Sequence, residues 1–238
     1  MNTILFDLDG TLLPISQKAF TDIYFGEIVK KVKPLGYEKD SFLGALWIGT
    51  KAMIKNDGQK TNHDLFWAEF ISSMGPRAAN LEDILDGFYA NEFNNVKTAA
   101  GDSAWVAPLI KKLRAKGFDL VLATNPIFPA VAVKSRLDWL EITPDDFIYI
   151  TTYENSSYCK PNPKYFQEIL GKIGRNPDDC LMIGNSASED MAALNAGIPV
   201  FLTTEYLENE PGIDISSFRR GNYKEMCEFL INLPDCSR

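Results

Sequence analysis

The stretch that decides the fold is ILFDLDGTLL, residues 4–13, close to the start of the chain. Its apolar residues predict a buried β-strand, which we place at residues 2–7. Asp7 falls at the end of this strand, and Asp9 comes two residues later. Two carboxylates this close together repel each other unless a cation or a proton lies between them. The stretch therefore predicts a strand that ends in a charged site.

The composition is that of a folded, acidic protein. The chain has 238 residues, of which 45% are hydrophobic and 24% charged, and its formal net charge is −8. This length suffices for a hydrophobic core and indicates one domain, or one domain with an insertion. The negative charge disfavours nucleic acid as a partner, because the phosphate backbone repels an acidic protein.

Other features of the sequence predict the cellular setting. No apolar run approaches the roughly 18 residues of a membrane span, and the acids at positions 7 and 9 do not fit a signal peptide. The four cysteines, at 159, 180, 227 and 236, form no CxxC pair. We therefore expect a cytoplasmic protein with free thiols, no membrane partner and no zinc site.

From residue 105 onward, helical and strand patterns alternate along the chain. Amphipathic stretches separate short apolar stretches that predict strands. These predicted strands are DLVLATN (119–125), FIYIT (147–151), CLMIGN (180–185) and PVFLT (199–203). Strands that are apolar on both faces are typical of a parallel sheet covered by helices on both sides. We predict an α/β, Rossmann-like three-layer core, which the strand at 2–7 joins.

Residues 15–100 show helical periodicity without strand alternation. Segments such as HDLFWAEFISSM (63–74) and LEDILDGFYANEF (81–93) have the pattern of amphipathic helices and are rich in aromatic residues. We predict a helical cap domain over 15–100, inserted after the first strand, and a core formed by 1–14 and 101–238.

Polar residues follow several predicted strands, at the edge of the sheet where open α/β sheets bind ligands. They are Asp7 with Asp9, Thr124 with Asn125, Thr151 with Thr152, and Asn185 with the acids after it. Turns at strand ends favour such residues in any protein, but their repetition along one edge favours a site.

Several residue types at this edge suit a phosphate group. Lys160, in a loop before a predicted helix, can keep nearby carboxylates ionised and neutralise a bound anion. Thr124 and the amide of Asn125 can donate hydrogen bonds to phosphate oxygens. Gly10 lets the backbone near Thr11 approach a ligand closely.

The carboxylate pair fits a magnesium-dependent reaction. Mg²⁺ prefers hard oxygen ligands and keeps several of its waters. With Mg²⁺ as the cofactor, Asp7 can stay ionised and act as a nucleophile. Asp9 can then supply a proton to a leaving oxygen and later activate water.

Four motifs follow in the order known from the haloacid dehalogenase superfamily: DLDGT (7–11), TN (124–125), KP (160–161) and GNSASED (184–190). The helical insertion resembles the C1-type cap of that family. The resemblance implies that Asp7 becomes an aspartyl-phosphate and that Asp9 is the general acid and base and a Mg²⁺ ligand through its carbonyl. It also implies that the phosphoryl group is held by Thr124, Lys160 and the backbone amides near Leu8, Gly10 and Thr11.

The fourth motif departs from the family pattern, in which a Gly-Asp pair precedes a second acid. This chain has Gly184 and Asn185, and its acids come at Glu189 and Asp190. An amide oxygen can bind Mg²⁺ but carries no formal charge, so metal binding should be weaker. We predict Asn185 and Asp190 as metal ligands beside Asp7 and Asp9. Glu189 is less favoured, since the helix dipole explains an acid in a first turn.

The function predicted from these features is Mg²⁺-dependent hydrolysis of a phosphate monoester of a small metabolite. The carboxylate of Asp9 favours phosphoryl transfer, because members of the family that cleave carbon–halogen bonds lack it. A phosphosugar mutase with the same nucleophile and a catalytically weak phosphometabolite-binding protein remain as alternatives. In the stretch LWIGTKAM (46–53), where the resemblance places substrate contacts, Trp47 and Lys51 are candidates to touch the leaving group.

Overall fold

The computed structural model describes residues 1–236 as an α/β protein with a six-stranded sheet. The strands are β1 (Thr3–Phe6), β2 (Asp119–Leu122), β3 (Tyr149–Ile150), β4 (Cys180–Gly184), β5 (Val200–Thr203) and β6 (Arg220–Gly221). Their order is β3-β2-β1-β4-β5-β6, and every neighbouring pair is parallel. The predicted parallel sheet is confirmed, and β6 is a strand that the sequence patterns did not predict.

Helices cover the sheet and fill the insertion. They are α1 (Gln17–Val32), α2 (Lys39–Ile54), α3 (Asn62–Met74), α4 (Glu82–Ala90), α5 (Val106–Ala115), α6 (Ala130–Trp139), α7 (Pro163–Ile173) and α8 (Tyr223–Ile231). The first four, with short 3₁₀ helices between and after them, come between β1 and β2 in the chain, as predicted. The exact limits of a separate cap domain, 15–100, stay a prediction.

The alternation of side chains along the strands produces the three layers. Leu5 of β1 and Val121 of β2 lie on one face, in a cluster with Phe166 of α7. Ile4 and Leu120 lie on the other face, in the cluster that includes the apolar sides of α5 and α8. Because helices cover both faces, every residue of β1 is buried.

Two elements are shorter than their sequence patterns predict. The stretch SEDMAALNAG (188–197), whose pattern predicts a helix with Ser188 as its N-cap, forms only the short 3₁₀ helix Met191–Ala196, and Asp190 rather than Ser188 takes the N-cap position. The preceding turn is tightened by Asp190, whose carboxylate accepts hydrogen bonds from the backbone, and Ser186 rather than Ser188 accepts from the amide of Glu189 at 3.1 Å. FIYIT contributes only two residues to β3, because this edge strand pairs with β2 alone.

Aromatic side chains join the helical insertion to the core. Phe128, in the loop after β2, packs edge-on against Phe20 and Tyr24 of α1, with ring centroids 5.7 and 5.6 Å apart. Phe93, which follows α4 in the chain, packs against Trp139 of α6, with ring centroids 5.3 Å apart. The insertion therefore covers the edge of the sheet at which β2 ends.

The predictions about membrane spans and about the cysteines can be compared with the structure. Within 1–236 no helix is both long and apolar enough to cross a bilayer. The four cysteines are free thiols, as expected from their spacing.

The packing of α2 against α3 generates a testable prediction about Gly49. A methyl group on Gly49 would lie 2.6 Å from Cδ2 and 3.1 Å from the carbonyl oxygen of Phe66. Gly44, in the same helix, has nothing within 4 Å of the same position. We expect Gly49→Ala to lower the free energy of unfolding by about 1 kcal/mol or more through this clash. Gly44→Ala should raise it by about 0.5–1 kcal/mol through helix propensity.

Urea unfolding of both variants measures this difference. Equal stabilisation by the two substitutions would contradict the close approach of α2 and α3 at Gly49.

Candidate active site

The predicted site residues meet at the carboxyl end of β1. The amide of Asp7 donates to the carbonyl of Ile183 in β4 at 2.9 Å, and the amide of Ala123 donates to the carbonyl of Phe6 at 2.7 Å. This register brings the residues that follow β1, β2 and β4 to one edge of the sheet. In the sheet, β2 and β3 lie on one side of β1, and β4, β5 and β6 lie on the other. The strand order therefore reverses at β1, and this edge lies at a topological switch point.

Lys160 is the buried centre of the site. Its side chain is 1% exposed, and Nζ lies 2.8 Å from Oδ1 of Asp7 and 2.6 Å from Oδ1 of Asp190. The other oxygen of Asp190 accepts from the amides of Asn185 and Ser186, both at 2.9 Å. Both oxygens of Asp190 are therefore occupied, which favours a positioning role over the metal ligation predicted from the sequence.

Two glycines make room for these side chains. A methyl group on Gly184 would lie 2.2 Å from Oδ2 of Asp190. A methyl group on Gly10 would lie 2.3 Å from Nδ2 of Asn185, and the φ of Gly10 is +84°, a conformation that favours glycine. Gly184 and Gly10 thus have to be glycines, because a larger residue would clash with the side chain of Asp190 or Asn185.

Asn185 is held on both sides of its amide group. Its Oδ1 accepts from the hydroxyl of Thr11 at 3.1 Å, and its Nδ2 donates to the carbonyl of Tyr206 at 2.7 Å. This orientation is the one that satisfies both partners. A carboxylate could not donate to the Tyr206 carbonyl. The contact therefore gives a local reason for asparagine at a place where the family motif usually has aspartate.

Carboxyl groups at the site titrate abnormally. Burial raises the pKa of Asp7 to about 8, against the opposing effect of Lys160. Burial also raises the pKa of Glu189 to about 7 and that of Glu208 above its ordinary value. Burial alone would lower the pKa of Lys160, but Asp190 and Asp7 raise it well above the usual range. Burial thus disfavours the charged forms of these carboxyl groups, and a bound cation would favour them.

Magnesium binding at this edge stays a prediction. Within residues 1–236, no group of three or more His, Cys, Asp and Glu side chains is arranged to hold a metal ion. A metal here would need the Asp9 carbonyl and the Asn185 amide oxygen, which now accepts from Thr11, besides the carboxylate of Asp7. A mixed oxygen set completed by water is what Mg²⁺ prefers.

Some of the predicted phosphate ligands are already engaged. Nδ2 of Asn125 donates to Oε2 of Glu189 at 3.0 Å. The amides of Gly10 and Thr11 donate to carbonyl oxygens of their own loop, at 2.8 and 3.2 Å. Phosphate binding by these groups stays a prediction that this geometry does not favour. Of the predicted amides, that of Leu8 donates to no carbonyl within residues 1–236 and is left for a phosphoryl oxygen.

Thr124 is fixed by Thr151, which the sequence analysis placed at this edge, and by Tyr165, which it did not assign to the site. Its carbonyl accepts from the hydroxyl of Tyr165 at 2.9 Å and from that of Thr151 at 2.7 Å. Tyr165 is fully buried, and Nζ of Lys160 lies 5.8 Å from the centroid of its ring. Tyr165 thus positions Thr124 and Lys160 together.

Arg136 is the most important residue of the site that the sequence analysis did not predict. This residue of α6 is fully buried, and its guanidinium pairs with Oδ2 of Asp9. Nε donates to the carbonyl of Ala132 at 3.2 Å, and Cζ lies 4.7 Å from the ring centroid of Phe128. Oδ1 of Asp9 is buried and has no hydrogen-bond partner within residues 1–236. Arg136 therefore fixes one oxygen of Asp9, while the other is buried and unpaired among the described residues.

The sequence did contain a signal for Arg136. It follows Ala132 by four residues and Val133 by three, so in a helix it shares their apolar face. An arginine on a buried face requires a counter-charge, but nothing in the local sequence says which carboxylate supplies it.

A cavity of about 280 Å³ extends from this edge toward the helical insertion. It is lined by Asp7, Asp9 and Thr124 of the core and by Trp47 of α2. Lys51, the other residue predicted to contact the leaving group, is exposed and lies outside the lining. The structure thus brings Trp47 to the site, but not Lys51.

The buried pair between Arg136 and Asp9 makes a prediction about stability. Arg136→Met should lower the free energy of unfolding by about 2–4 kcal/mol, because it leaves a largely buried carboxylate without its counter-charge. The loss should be smaller in an Asp9→Asn background. The control is Lys134→Met, on the exposed side of the same helix, which should change stability by less than about 0.5 kcal/mol. Denaturant unfolding of the four variants tests this, and equal losses in both backgrounds would contradict the pairing.

Comparisons with known proteins agree with this geometry. Residues 1–197 match the family model described as haloacid dehalogenase-like hydrolase. The pyrophosphatase PpaX of Bacillus pumilus (strain SAFR-032) is 25% identical over 197 residues, which cover 83% of this chain and 80% of the relative.

Solved structures show the same fold. A HAD phosphatase from Thermococcus onnurineus has a TM-score of 0.60 at 20% identity, over 99% of this chain and 100% of that one. The putative HAD-hydrolase YfnB from Bacillus subtilis, bound to magnesium, has a TM-score of 0.58 at 20% identity, over 98% and 99% of the two chains. The family match spans most of the sequence, and this chain belongs to the haloacid dehalogenase-like hydrolase family.

Proposed function

We propose that this protein is a Mg²⁺-dependent phosphatase that hydrolyses a small-molecule phosphate monoester through a phosphorylated Asp7. The observation that carries the proposal is the position of Asp7. Its carboxylate lines the cavity at the switch point of the sheet and pairs with the buried ammonium of Lys160. A carboxylate held in this way is a positioned nucleophile beside a cation that can bind phosphoryl oxygens.

The chain's own residues supply each step of such a reaction. An oxygen of Asp7 attacks phosphorus, and the bond from phosphorus to the leaving oxygen breaks while Asp9 gives that oxygen a proton. Asp9 then takes a proton from water, which attacks the aspartyl-phosphate, releases inorganic phosphate and restores Asp7. Lys160, Thr124 and the Leu8 amide hold the phosphoryl oxygens throughout.

Arg136 contributes through Asp9 as a positioning residue. It holds Oδ2 and thereby fixes the orientation of the carboxyl group that exchanges the proton. A bound Mg²⁺ would supply positive charge against the phosphoryl oxygens and the surrounding carboxylates, with Asp7, the Asp9 carbonyl and Asn185 as its protein ligands.

Removal of the nucleophile tests the proposal. Asp7→Asn should reduce phosphate release from an aryl phosphate more than about a thousandfold, because an amide oxygen is a poor nucleophile. Asp22→Asn, on the exposed face of α1, is the control and should keep full activity. Circular dichroism verifies that both variants are folded, and a folded Asp7→Asn protein with substantial turnover would overturn the mechanism.

Metal dependence provides a second test. Activity should rise with Mg²⁺ to saturation, disappear with a chelator and return when Mg²⁺ is added again. The same titration distinguishes an enzyme from the binding protein considered above, which would hold a phosphorylated metabolite without releasing phosphate. Full activity in the presence of chelator would contradict the assignment of the metal.

A further inference from the structure

We propose that the ester hydrolysed here has an uncharged leaving alcohol that carries an aromatic or similarly flat apolar ring. This inference rests on the proposed phosphatase function and concerns the part of the cavity beyond the phosphoryl group. It follows from three properties of the lining: its aromatic faces, its charges and its hydrogen bonds.

The walls of the cavity toward the insertion are mainly aromatic. Tyr24 and Tyr89 lie parallel, with ring centroids 6.2 Å apart, and Phe25 of α1 lies 6.0 Å from Trp47 of α2. Trp47 is 51% exposed, an unusual position for a tryptophan that lines a cavity. A flat ring in this space would bury apolar surface against these side chains and make favourable contacts with their faces.

The charges of the lining disfavour an anionic leaving group. Among the described residues that line the cavity, none is Lys or Arg. The charged lining residues are all acids: Asp7, Asp9, Asp86, Glu189, Asp190 and Glu208. Lys160 and Arg136 are already paired with carboxylates of the site. A second phosphate or a carboxylate on the leaving group would therefore meet negative charge without a cation to offset it.

Hydrogen bonds within the lining disfavour a sugar. The hydroxyls of Tyr24 and Tyr89 bond to each other at 2.8 Å, and the indole N–H of Trp67 donates to the hydroxyl of Tyr153 at 3.3 Å. The hydroxyl of Thr21 donates to the backbone of its own helix. A polyhydroxylated alcohol would give up hydrogen bonds to water and find these particular groups occupied, so that only the other polar residues of the lining, such as Gln17, Thr50 and Asp86, would be left to bond to it.

The size of the cavity limits the ligand. Its volume of about 280 Å³ is just below the roughly 300–1,000 Å³ of small-molecule sites. This space suits a phosphoryl group with a small ring system better than a long or branched chain.

The test compares esters of primary alcohols, so that leaving groups of one chemical type are matched. With Mg²⁺ present, kcat/KM for benzyl phosphate should exceed kcat/KM for ethyl phosphate and for 2-phosphoglycolate by about tenfold or more, because only the benzyl group fills the aromatic space without adding charge. Phosphocholine and inorganic pyrophosphate complete the panel as a cationic and an anionic leaving group.

Variants of α2 locate the preference. Trp47→Ala should reduce kcat/KM for benzyl phosphate more than that for ethyl phosphate. Ile48→Ala is the control, since Ile48 is 44% exposed on the same helix but lies outside the lining. Thr50→Lys adds a cation to a lining position and should shift the ratio of 2-phosphoglycolate to benzyl phosphate turnover toward the anion.

The outcomes separate this inference from the function on which it rests. Faster hydrolysis of 2-phosphoglycolate or pyrophosphate than of benzyl phosphate, dependent on Asp7, would overturn the inference and leave the phosphatase in place. A preference for phosphocholine would make the aromatic faces and Asp86 a site for a cation and would also overturn it. Failure to release phosphate from any ester of the panel would overturn both.

Discussion

One buried ammonium group, shared between two carboxylates, is the interaction on which the rest of the site depends. Lys160 comes from the loop before α7, Asp7 from the end of β1 and Asp190 from the turn after β4. Burial of a charge is costly unless opposite charges and hydrogen bonds compensate. The backbone amides that fix Asp190 supply that compensation and hold the ammonium beside Asp7. The fold thus positions Asp7, the proposed nucleophile, by pairing it with a buried lysine.

The asparagine of the fourth motif has a structural role as well as a place among the possible metal ligands. Through its amide it connects Thr11 of the first motif to the backbone of Tyr206. This contact brings the segment after β5 to the site, including Glu208, which lines the cavity. The segment 204–221, which has little regular pattern in the sequence, therefore contributes both a hydrogen-bond acceptor and a carboxylate.

The cavity joins two environments of opposite character. The core edge is polar and charged, as transfer of a phosphoryl group requires, whereas the helical insertion supplies aromatic faces. Arg136 lies where they meet: it pairs with Asp9 on one side and lies against the rings of Phe128 and Phe20 on the other. The same aromatic packing that attaches the insertion to the core thus helps to bury the arginine that orients the proposed acid.

The sequence by itself determined the parallel sheet, the succession of most strands and helices along the chain, and the helical insertion, because these follow from short apolar stretches and from the 3.6-residue period of amphipathic helices, which are local in the chain. It also predicted that Asp7, Thr124 and Asn185 lie close together, since residues that follow parallel strands must meet at one edge. Only the tertiary structure decided that Asp190 positions Lys160, that Asn185 bonds to Tyr206, that Arg136 pairs with Asp9 and that Trp47 rather than Lys51 lines the cavity. Those outcomes depend on which side chains packing brings together from distant parts of the chain, such as Asp9 and Arg136, which are 127 residues apart. A local sequence pattern can indicate that a residue is buried or charged, but it does not indicate which distant residue contacts it.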